Sequence, residues 1–444
     1  MDLGYKNNTK KKNISLLKLL FNLLIAQLFS ALIADSLGAA GISIQITVGL
    51  FAVGSVLSSM FHINYRDSFL PAVKRTDYRI IWYLLWFVII GSAYYVDPLA
   101  NTMSFIGIII PTRFVFIVTL SFIILFFIRF TDKEYKKFTS LVMPMLIVIV
   151  VLNLVLMMRA VSVYGDAVRA PRMTEAMGYG EYLFGLPGYS ILYACALLSP
   201  VAFMYIFITK GDIYRKWTII FAAILTISIF MSQLATAAIG MVVGFVLLCV
   251  LKSRSRFRWL MILVLAFVAV ILILSDAVSE VLMVLSRLVP EDVSWHEKLI
   301  SMAQGFMTED GSIVQGRDEL YMISFETFLE SPLVGSVFTN TAYSYGGHST
   351  FLDMLATVGI FGTAPFVLFM VSCYRNCIRQ LKTREAVATV QTSYFIFLLF
   401  FFMKNMISSY AIFIALFILV PILAQRIDDY ASKKYTEEKG IVLN

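Results

Sequence analysis

The feature of this sequence that most constrains its fold is a succession of apolar runs about 20 residues long, separated by short clusters of charged residues. A helix needs about 20 apolar residues to cross the hydrocarbon layer of a bilayer. Only 14% of the 444 residues are charged and 59% are hydrophobic, whereas soluble proteins carry about 25% charged residues. We therefore predict an all-α, polytopic membrane protein with a single transmembrane domain over 1–444.

Twelve runs are candidates for spanning helices. They cover 15–34, 42–61, 80–96, 104–128, 139–158, 184–209, 217–231, 237–251, 259–275, 349–372, 387–403 and 407–424. The first has the charge order of a signal peptide, but its 20 residues exceed the usual apolar core of about 7–15, so we interpret it as a retained helix. The run from Trp217 to Leu251 is too long for one helix, and the polar residues Ser232–Thr236 predict a hairpin of two short helices.

The basic residues predict the orientation of these helices. When the N-terminus is placed in the cytoplasm, 28 of the 36 Lys and Arg residues fall in cytoplasmic segments, as expected because short cytoplasmic loops collect basic residues. Both termini are therefore predicted to be cytoplasmic. The net charge of +8 is explained by this topology, so we expect no nucleic-acid partner.

Two outer segments are long enough to carry a function, 159–183 and 276–347. The larger one lies directly before the tenth span. Within it, apolar residues of the stretch 318–329 recur at near-helical spacing: Leu320, Ile323, Phe325 and Phe328. This spacing predicts a short amphipathic helix that is ended by Ser331-Pro332 and lies on the helix bundle or on the lipid surface.

His348 opens the tenth span. Leu352, Leu355, Gly359 and Gly362 follow on one helical face, and the glycines would let another helix approach closely. A histidine at the boundary between this face and the outer aqueous layer can take up a proton near neutral pH. The alternative is a histidine that only caps or packs the helix.

Three motifs follow one another in the region around the larger outer segment. They are Gly316-Arg317, then Ser331-Pro332-Leu333-Val334-Gly335, then His-Ser-x-x-Leu-x-x-Leu-x-x-x-Gly-x-x-Gly from His348 to Gly362. In order and spacing they resemble the O-antigen polymerase and ligase superfamily, which includes Wzy-type polymerases. The twelve-span layout is also similar. The chain departs from the family pattern at Tyr321, where Trp is common, and at Ser232-Gln233, where many members have Ser-Arg.

The resemblance implies an inverting, metal-independent glycosyltransferase without a cofactor, located in the bacterial inner membrane. Its donor would be an oligosaccharide on undecaprenyl pyrophosphate, dissolved among the membrane lipids. The acceptor would be another lipid-linked repeat unit in a polymerase of O-antigen or capsule, or the lipid A core in a ligase. We favour the polymerase, for which a chain-length regulator is a further expected partner.

The resemblance also implies site residues. A departing pyrophosphate develops negative charge, and the guanidinium fork of arginine matches its oxygens. We therefore predict Arg317 and His348 as catalytic residues, with His348 as the general base. Asp353 follows His348 by five positions, so it would orient or acidify the histidine only from a different helical face.

Four further arginines are predicted to bind substrate: Arg159, Arg169, Arg172 and Arg113. The first three cluster at the smaller outer segment. Their alternative role is to form ion pairs with nearby carboxylates. Arg113 lies in the outward half of the fourth span, where its alternative role is that of a snorkelling anchor.

Two other classes of protein fit the pattern less well. A flippase for the same lipid-linked sugar would carry paired halves with broken helices at corresponding positions. Here the polar motifs form a single cluster on the predicted outer side, and the loops are unequal in length. A non-catalytic regulator would expose a large outer domain, and no segment of this length appears.

Overall fold

The structure is a computed structural model. It describes residues 144–156, 158–159, 189–209, 213–231, 235–252, 283–291, 293, 295–297, 299–300, 317–336, 346, 349–403 and 410–438. Across these residues the regular structure is helical, without strands. The predicted spans 15–34, 42–61, 80–96, 104–128 and 259–275 lie outside them.

Nine of the helices in the described residues are numbered in chain order. They are α1 (Pro144–Leu156), α2 (Tyr189–Ile208), α3 (Ile213–Met231), α4 (Ala235–Lys252), α5 (Arg317–Glu330), α6 (Thr350–Gln380), α7 (Arg384–Met403), α8 (Tyr410–Ile414) and α9 (Val420–Glu438). A π-helical turn, Ala415–Leu419, joins α8 to α9. In the described part, four segments are long and apolar enough to cross a membrane: Ile191–Ile208, Thr350–Gln380, Arg384–Met403 and Ala411–Thr436.

These helices confirm the all-α membrane class for the described part of the chain, while the total of twelve spans stays a prediction. The apolar run from Trp217 to Leu251 forms two helices as expected, since α3 ends at Met231 and α4 begins at Ala235. The last helix continues to Glu438, well beyond the predicted end at 424. An apolar run reports only the part of a helix that the bilayer surrounds, whereas α9 goes on burying residues such as Ile427 and Ala431.

Helix α2 lies at the centre of the described bundle. Most of its side chains are buried, and it packs against α3, α4, α7, α8 and α9, as expected for a helix that is apolar all round. The Ser393 hydroxyl of α7 donates a hydrogen bond of 2.9 Å to the carbonyl oxygen of Leu197 in α2. Both residues are fully buried.

Helices α4 and α7 approach closely through two glycines. A Cβ atom at Gly240 would lie 2.6 Å from Phe400 Cζ, and one at Gly244 would lie 2.4 Å from Ile396 Cδ1. Small residues four apart are typical of packed membrane helices, because they let neighbouring helices touch along their backbones.

The turn between α6 and α7 is held by Asp428 of α9. The Asp428 carboxylate accepts hydrogen bonds from the backbone N–H groups of Lys382 at 2.9 Å and Thr383 at 2.5 Å. The Thr383 hydroxyl donates a third bond of 2.6 Å. A buried carboxylate is thus satisfied by donors that would otherwise lack partners at the start of α7.

The C-terminal end of α4 lies at the same end of the bundle. Arg384 Nε, at the start of α7, donates to the carbonyl oxygen of Leu251 at 2.9 Å. Lys252 Nζ lies 4.3 Å from the centroid of the Phe207 ring, near the end of α2. The helix ends that the charge pattern assigns to the cytoplasm therefore lie together, although which side of the membrane they occupy stays a prediction.

Candidate active site

Helix α5 lies against α6 at the opposite end of the bundle. It ends at Glu330, directly before Ser331-Pro332, as predicted. The apolar residues predicted to mark its amphipathic face do not share one side of the helix: Leu320 and Phe328 are half-buried, whereas Ile323 and Phe325 are exposed. The buried face is polar instead, because small hydroxyl-bearing residues pack closely between membrane helices while apolar ones tolerate lipid.

The residues after α5 form a tight turn. The Gly335 N–H donates to the carbonyl oxygen of Ser331 at 2.9 Å, and Gly335 has a φ of 75°. This left-handed conformation favours glycine because a Cβ atom would clash with the backbone. A Cβ at Gly335 would also lie 2.3 Å from the carbonyl carbon of Thr357 in α6.

Helix α6 is interrupted where this turn touches it. Gly359 has φ 60° and ψ −166°, a conformation that is essentially restricted to glycine. The break removes helical acceptors from the next two N–H groups. The Ile360 N–H donates instead to Pro332 O, and the Phe361 N–H to Leu333 O, each at 3.0 Å. We call this backbone pairing the turn–kink contact.

The turn–kink contact corrects the expected role of Gly359. We predicted that Gly359 and Gly362 would continue one helical face against another helix. A Cβ at Gly359 would instead lie 2.5 Å from Leu333 O, so the partner at this position is a turn. The positive φ of Gly359 cannot be predicted from the spacing of residues, because a helical period assumes an unbroken helix.

A buried polar network joins α5 to the start of α6. The Ser324 hydroxyl donates to Asp353 Oδ1 at 2.7 Å and accepts from the Gly346 N–H at 2.9 Å. Ser324 and Asp353 are each 1% exposed. We expected Asp353 to point away from the face of His348. The structure directs its carboxylate to α5.

The first turn of α6 is capped by Ser349. Its side chain accepts a hydrogen bond from the Leu352 N–H at 3.3 Å, and its carbonyl oxygen accepts from the Asp353 N–H at 2.8 Å. The Thr357 hydroxyl donates to the carbonyl oxygen of Asp353 at 2.5 Å. Ser349 itself is fully buried, so the residue that follows His348 in the chain has a fixed position.

Most predicted site residues lie outside the described part of the chain. These are His348, Arg169, Arg172 and Arg113. Arg159 is exposed just beyond the end of α1. Helix α5 begins at Arg317, seven residues before Ser324, and two helical turns are about seven residues. The Cα atom of Arg317 therefore lies on the face of α5 that carries Ser324.

Two residues of the network, Ser324 and Gly346, were not predicted. The signal for Ser324 was available, since Ser324, Thr327 and Ser331 recur at intervals of three and four residues on one helical face. Nothing in the local sequence distinguishes Gly346 from Gly347. A Cβ at Gly346 would lie 2.0 Å from Leu320 O, a contact that depends on the tertiary structure alone.

His296, the histidine within the larger outer segment, has a structural role. Its Nδ1 lies 2.9 Å from Ser286 O and 3.0 Å from Val289 O. Carbonyl oxygens only accept, so this nitrogen carries the proton and ties the preceding turn together. The neighbouring Trp295 packs against the hydrophobic core.

The aromatic residue Tyr321 links α5 to α7. Its hydroxyl donates to the carbonyl oxygen of Met403 at 3.4 Å. The beginning of α5, the beginning of α6 and the end of α7 therefore meet, away from the Asp428 end of the bundle. Among the described residues, no three His, Cys, Asp or Glu side chains are grouped so that they could hold a metal ion.

Comparison with known proteins finds a family model that this region resembles. Residues 220–367, about a third of the chain, match the family model described as O-antigen ligase. The match includes α4, α5, the turn–kink contact and the start of α6. No curated protein matches the chain. Residues 220–367 are thus similar to O-antigen ligases, consistent with the resemblance of the motifs to the O-antigen polymerase and ligase superfamily.

Proposed function

We propose that the protein is a glycosyltransferase that polymerises oligosaccharide repeat units on undecaprenyl pyrophosphate, at the outer face of the bacterial inner membrane. The observation that carries this proposal is the packing of α5 on α6 within the matched family region. This packing joins the helix that begins at Arg317 to the helix that follows His348.

The proposed reaction is a direct displacement at the anomeric carbon of the donor sugar. His348 takes the proton of the acceptor hydroxyl as the new C–O bond forms. The bond between the anomeric carbon and the pyrophosphate oxygen breaks with inversion, and undecaprenyl pyrophosphate leaves with the electron pair. Arg317 stabilises the negative charge on this leaving group through two parallel hydrogen bonds.

The outer location is supported by the distribution of basic residues along the bundle. Lys382 and Arg384 lie at the end where α6 leads into α7, while the Ser324–Asp353 network lies at the start of α6. These are opposite ends of α6. If the basic end is cytoplasmic, as the positive-inside rule requires, the candidate site faces outward.

The acceptor decides between polymerase and ligase. We favour the polymerase because the sparse outer loops and the absence of Ser-Arg at Ser232-Gln233 resemble that branch of the superfamily. The ligase is the second candidate, favoured by the description of the matching family model.

The test is the glycan profile of a bacterial strain that lacks this chain. A polymerase predicts single repeat units on the lipid core, and complementation should restore long chains with the wild-type gene but not with His348→Ala at equal protein level. Full-length glycan retained on undecaprenyl pyrophosphate would instead establish a ligase. Lipid-linked units that accumulate on the inner leaflet would establish a flippase and refute both enzyme assignments.

A further inference from the structure

We infer that Ser324 is a positioning residue: its hydroxyl, bound to Asp353, holds Gly346 against α5, two positions before His348, and so sets the placement of His348 relative to Arg317. This inference rests on the proposed function, because it concerns the two residues predicted to perform the reaction.

The hydrogen bonds connect Gly346 and Ser349, the described residues that flank positions 347 and 348 in the chain. The Gly346 N–H donates to Ser324 Oγ, and the same hydroxyl donates its proton to Asp353 Oδ1. The Asp353 N–H donates to the carbonyl oxygen of Ser349. Since Gly346 and Ser349 lie on either side of His348 in the chain, both ends of the segment that carries the histidine are tied to this path.

Burial makes these bonds strong. Ser324 and Asp353 are each 1% exposed and Ser349 is fully buried, so water does not compete for their donors and acceptors. A hydroxyl bound to a carboxylate also makes a stronger hydrogen bond than one bound to a neutral acceptor. Removing the hydroxyl would leave both the Gly346 N–H and the Asp353 carboxylate without this partner.

The same serine is linked to the helix of Arg317. Gly346 lies against α5 at Leu320, where no Cβ atom would fit on this glycine. Leu320 lies one turn before Ser324 and one turn after Arg317. One face of α5 therefore carries the backbone of Arg317, the contact with Gly346 and the Ser324 hydroxyl in succession.

A fixed separation between base and leaving-group arginine matters for the rate. A displacement of about 1 Å between reacting groups costs about 10²-fold in rate. Ser324 is buried in the α5–α6 interface, so its hydroxyl would act through the position of His348 and not by touching the sugar or the pyrophosphate. Its loss should therefore lower kcat and leave KM nearly unchanged.

The experiment compares Ser324→Ala with Ser393→Ala. Both changes remove a buried serine hydroxyl that donates one hydrogen bond between helices, but Ser393 lies in the α2–α7 interface. Turnover is measured on the lipid-linked repeat unit extracted from the deletion strain, with purified full-length protein. We expect Ser324→Ala to lower kcat by about 10- to 100-fold with KM within about twofold of wild type. Ser393→Ala should keep a near-normal kcat.

Hydrogen–deuterium exchange tests the tether without reference to activity. Peptides covering 344–352 should exchange faster in Ser324→Ala than in wild type or Ser393→Ala, while peptides from α2 and α7 stay protected in Ser324→Ala. Unchanged exchange at 344–352, or equal losses of kcat in the two serine variants, would overturn the inference. A fully active His348→Ala would instead refute the proposed function, and the exchange result would remain valid.

Discussion

His348 is the residue on which the proposed chemistry depends most. A positioned general base contributes about 10²–10⁴-fold to the rate, and imidazole is neutral above about pH 6–7. A base must be neutral to accept a proton. The wild-type rate should therefore fall as the pH drops below this range.

The variant that tests the base is His348→Gln, which keeps a hydrogen-bonding side chain but cannot take up the proton. We expect it to lose at least about 10²-fold in rate and to lose the acidic fall of the pH profile. His296→Gln is the matched control, since His296 binds the carbonyl oxygens of Ser286 and Val289. This variant should keep both the wild-type rate and the acidic fall of the pH profile. More than about a tenth of the wild-type rate in His348→Gln would rule out the base.

Arg317 is predicted to bind the leaving pyrophosphate with both arms of its guanidinium group. Arg317→Lys keeps the charge but offers one ammonium in place of the planar fork. We expect it to lose most of the turnover at unchanged protein level. The control is Arg287→Lys, at an exposed position of the same outer segment. If Arg317→Lys turns over at a near-normal rate, the two-bond recognition is wrong.

At the scale of elements, α5, the turn and α6 are joined mainly by backbone groups. The turn–kink contact uses two glycines with positive φ and two carbonyl oxygens that replace missing helical acceptors. Peptide groups cannot move aside as side chains do. The contact should therefore be sensitive to any added Cβ atom.

Gly359→Ala tests this sensitivity. The new Cβ would meet Leu333 O at 2.5 Å in a backbone conformation that alanine avoids, for a cost of about 2–4 kcal/mol. Gly244→Ala is the comparison, because its Cβ would meet side-chain atoms alone, at 2.4 Å the terminal Cδ1 of Ile396 and at 3.2 Å its Cγ1. A side chain can shift, and alanine favours a helix by about 1 kcal/mol over glycine. Melting temperatures in detergent should drop clearly for Gly359→Ala and little for Gly244→Ala. Equal drops would contradict the structural role of the kink.

The sequence predicts these elements better than their contacts. The division at Ser232 and the end of α5 at Ser331-Pro332 follow from local chemistry, since a polar turn and a proline each act on their own segment. The buried face of α5 did not follow from apolar spacing. An apolar side chain such as Phe325 needs no burial at a lipid surface. The buried polar groups of Ser324 and Asp353, by contrast, require hydrogen-bond partners, and they bond to one another.

The site was predictable only where a motif fixed it. Arg317, the turn 331–335 and Gly359 belong to motifs, and the structure joins the last two directly. The pairing of Ser324 with Asp353 spans 29 positions, and the contact of Gly346 with Leu320 depends on how α5 lies on α6. Such long-range pairings leave no periodic trace in a single sequence.

At the scale of the whole molecule, the topology can be tested by cysteine labelling. In a variant with the four native cysteines replaced by serine, Gly178→Cys and Ser312→Cys should react with a membrane-impermeant thiol reagent added from outside. Ser255→Cys, in a predicted cytoplasmic loop, should react only after permeabilisation. Protection at both outer positions would refute the topology and the outer location of the reaction.

The length of α6 bears on how deep in the bilayer the proposed reaction would take place. The 31 residues of α6 would make a straight helix of about 46 Å, whereas the hydrocarbon core is about 30 Å thick. The charge pattern places Arg375 at the inner edge of that layer, and 20 helical residues counted back from it, about 30 Å, reach Leu355. Asp353 would then lie at the outer edge of this layer, at headgroup level. A polyprenyl carrier keeps its pyrophosphate at this level while its tail stays among the acyl chains, so the donor would reach the enzyme by lateral diffusion without leaving the bilayer.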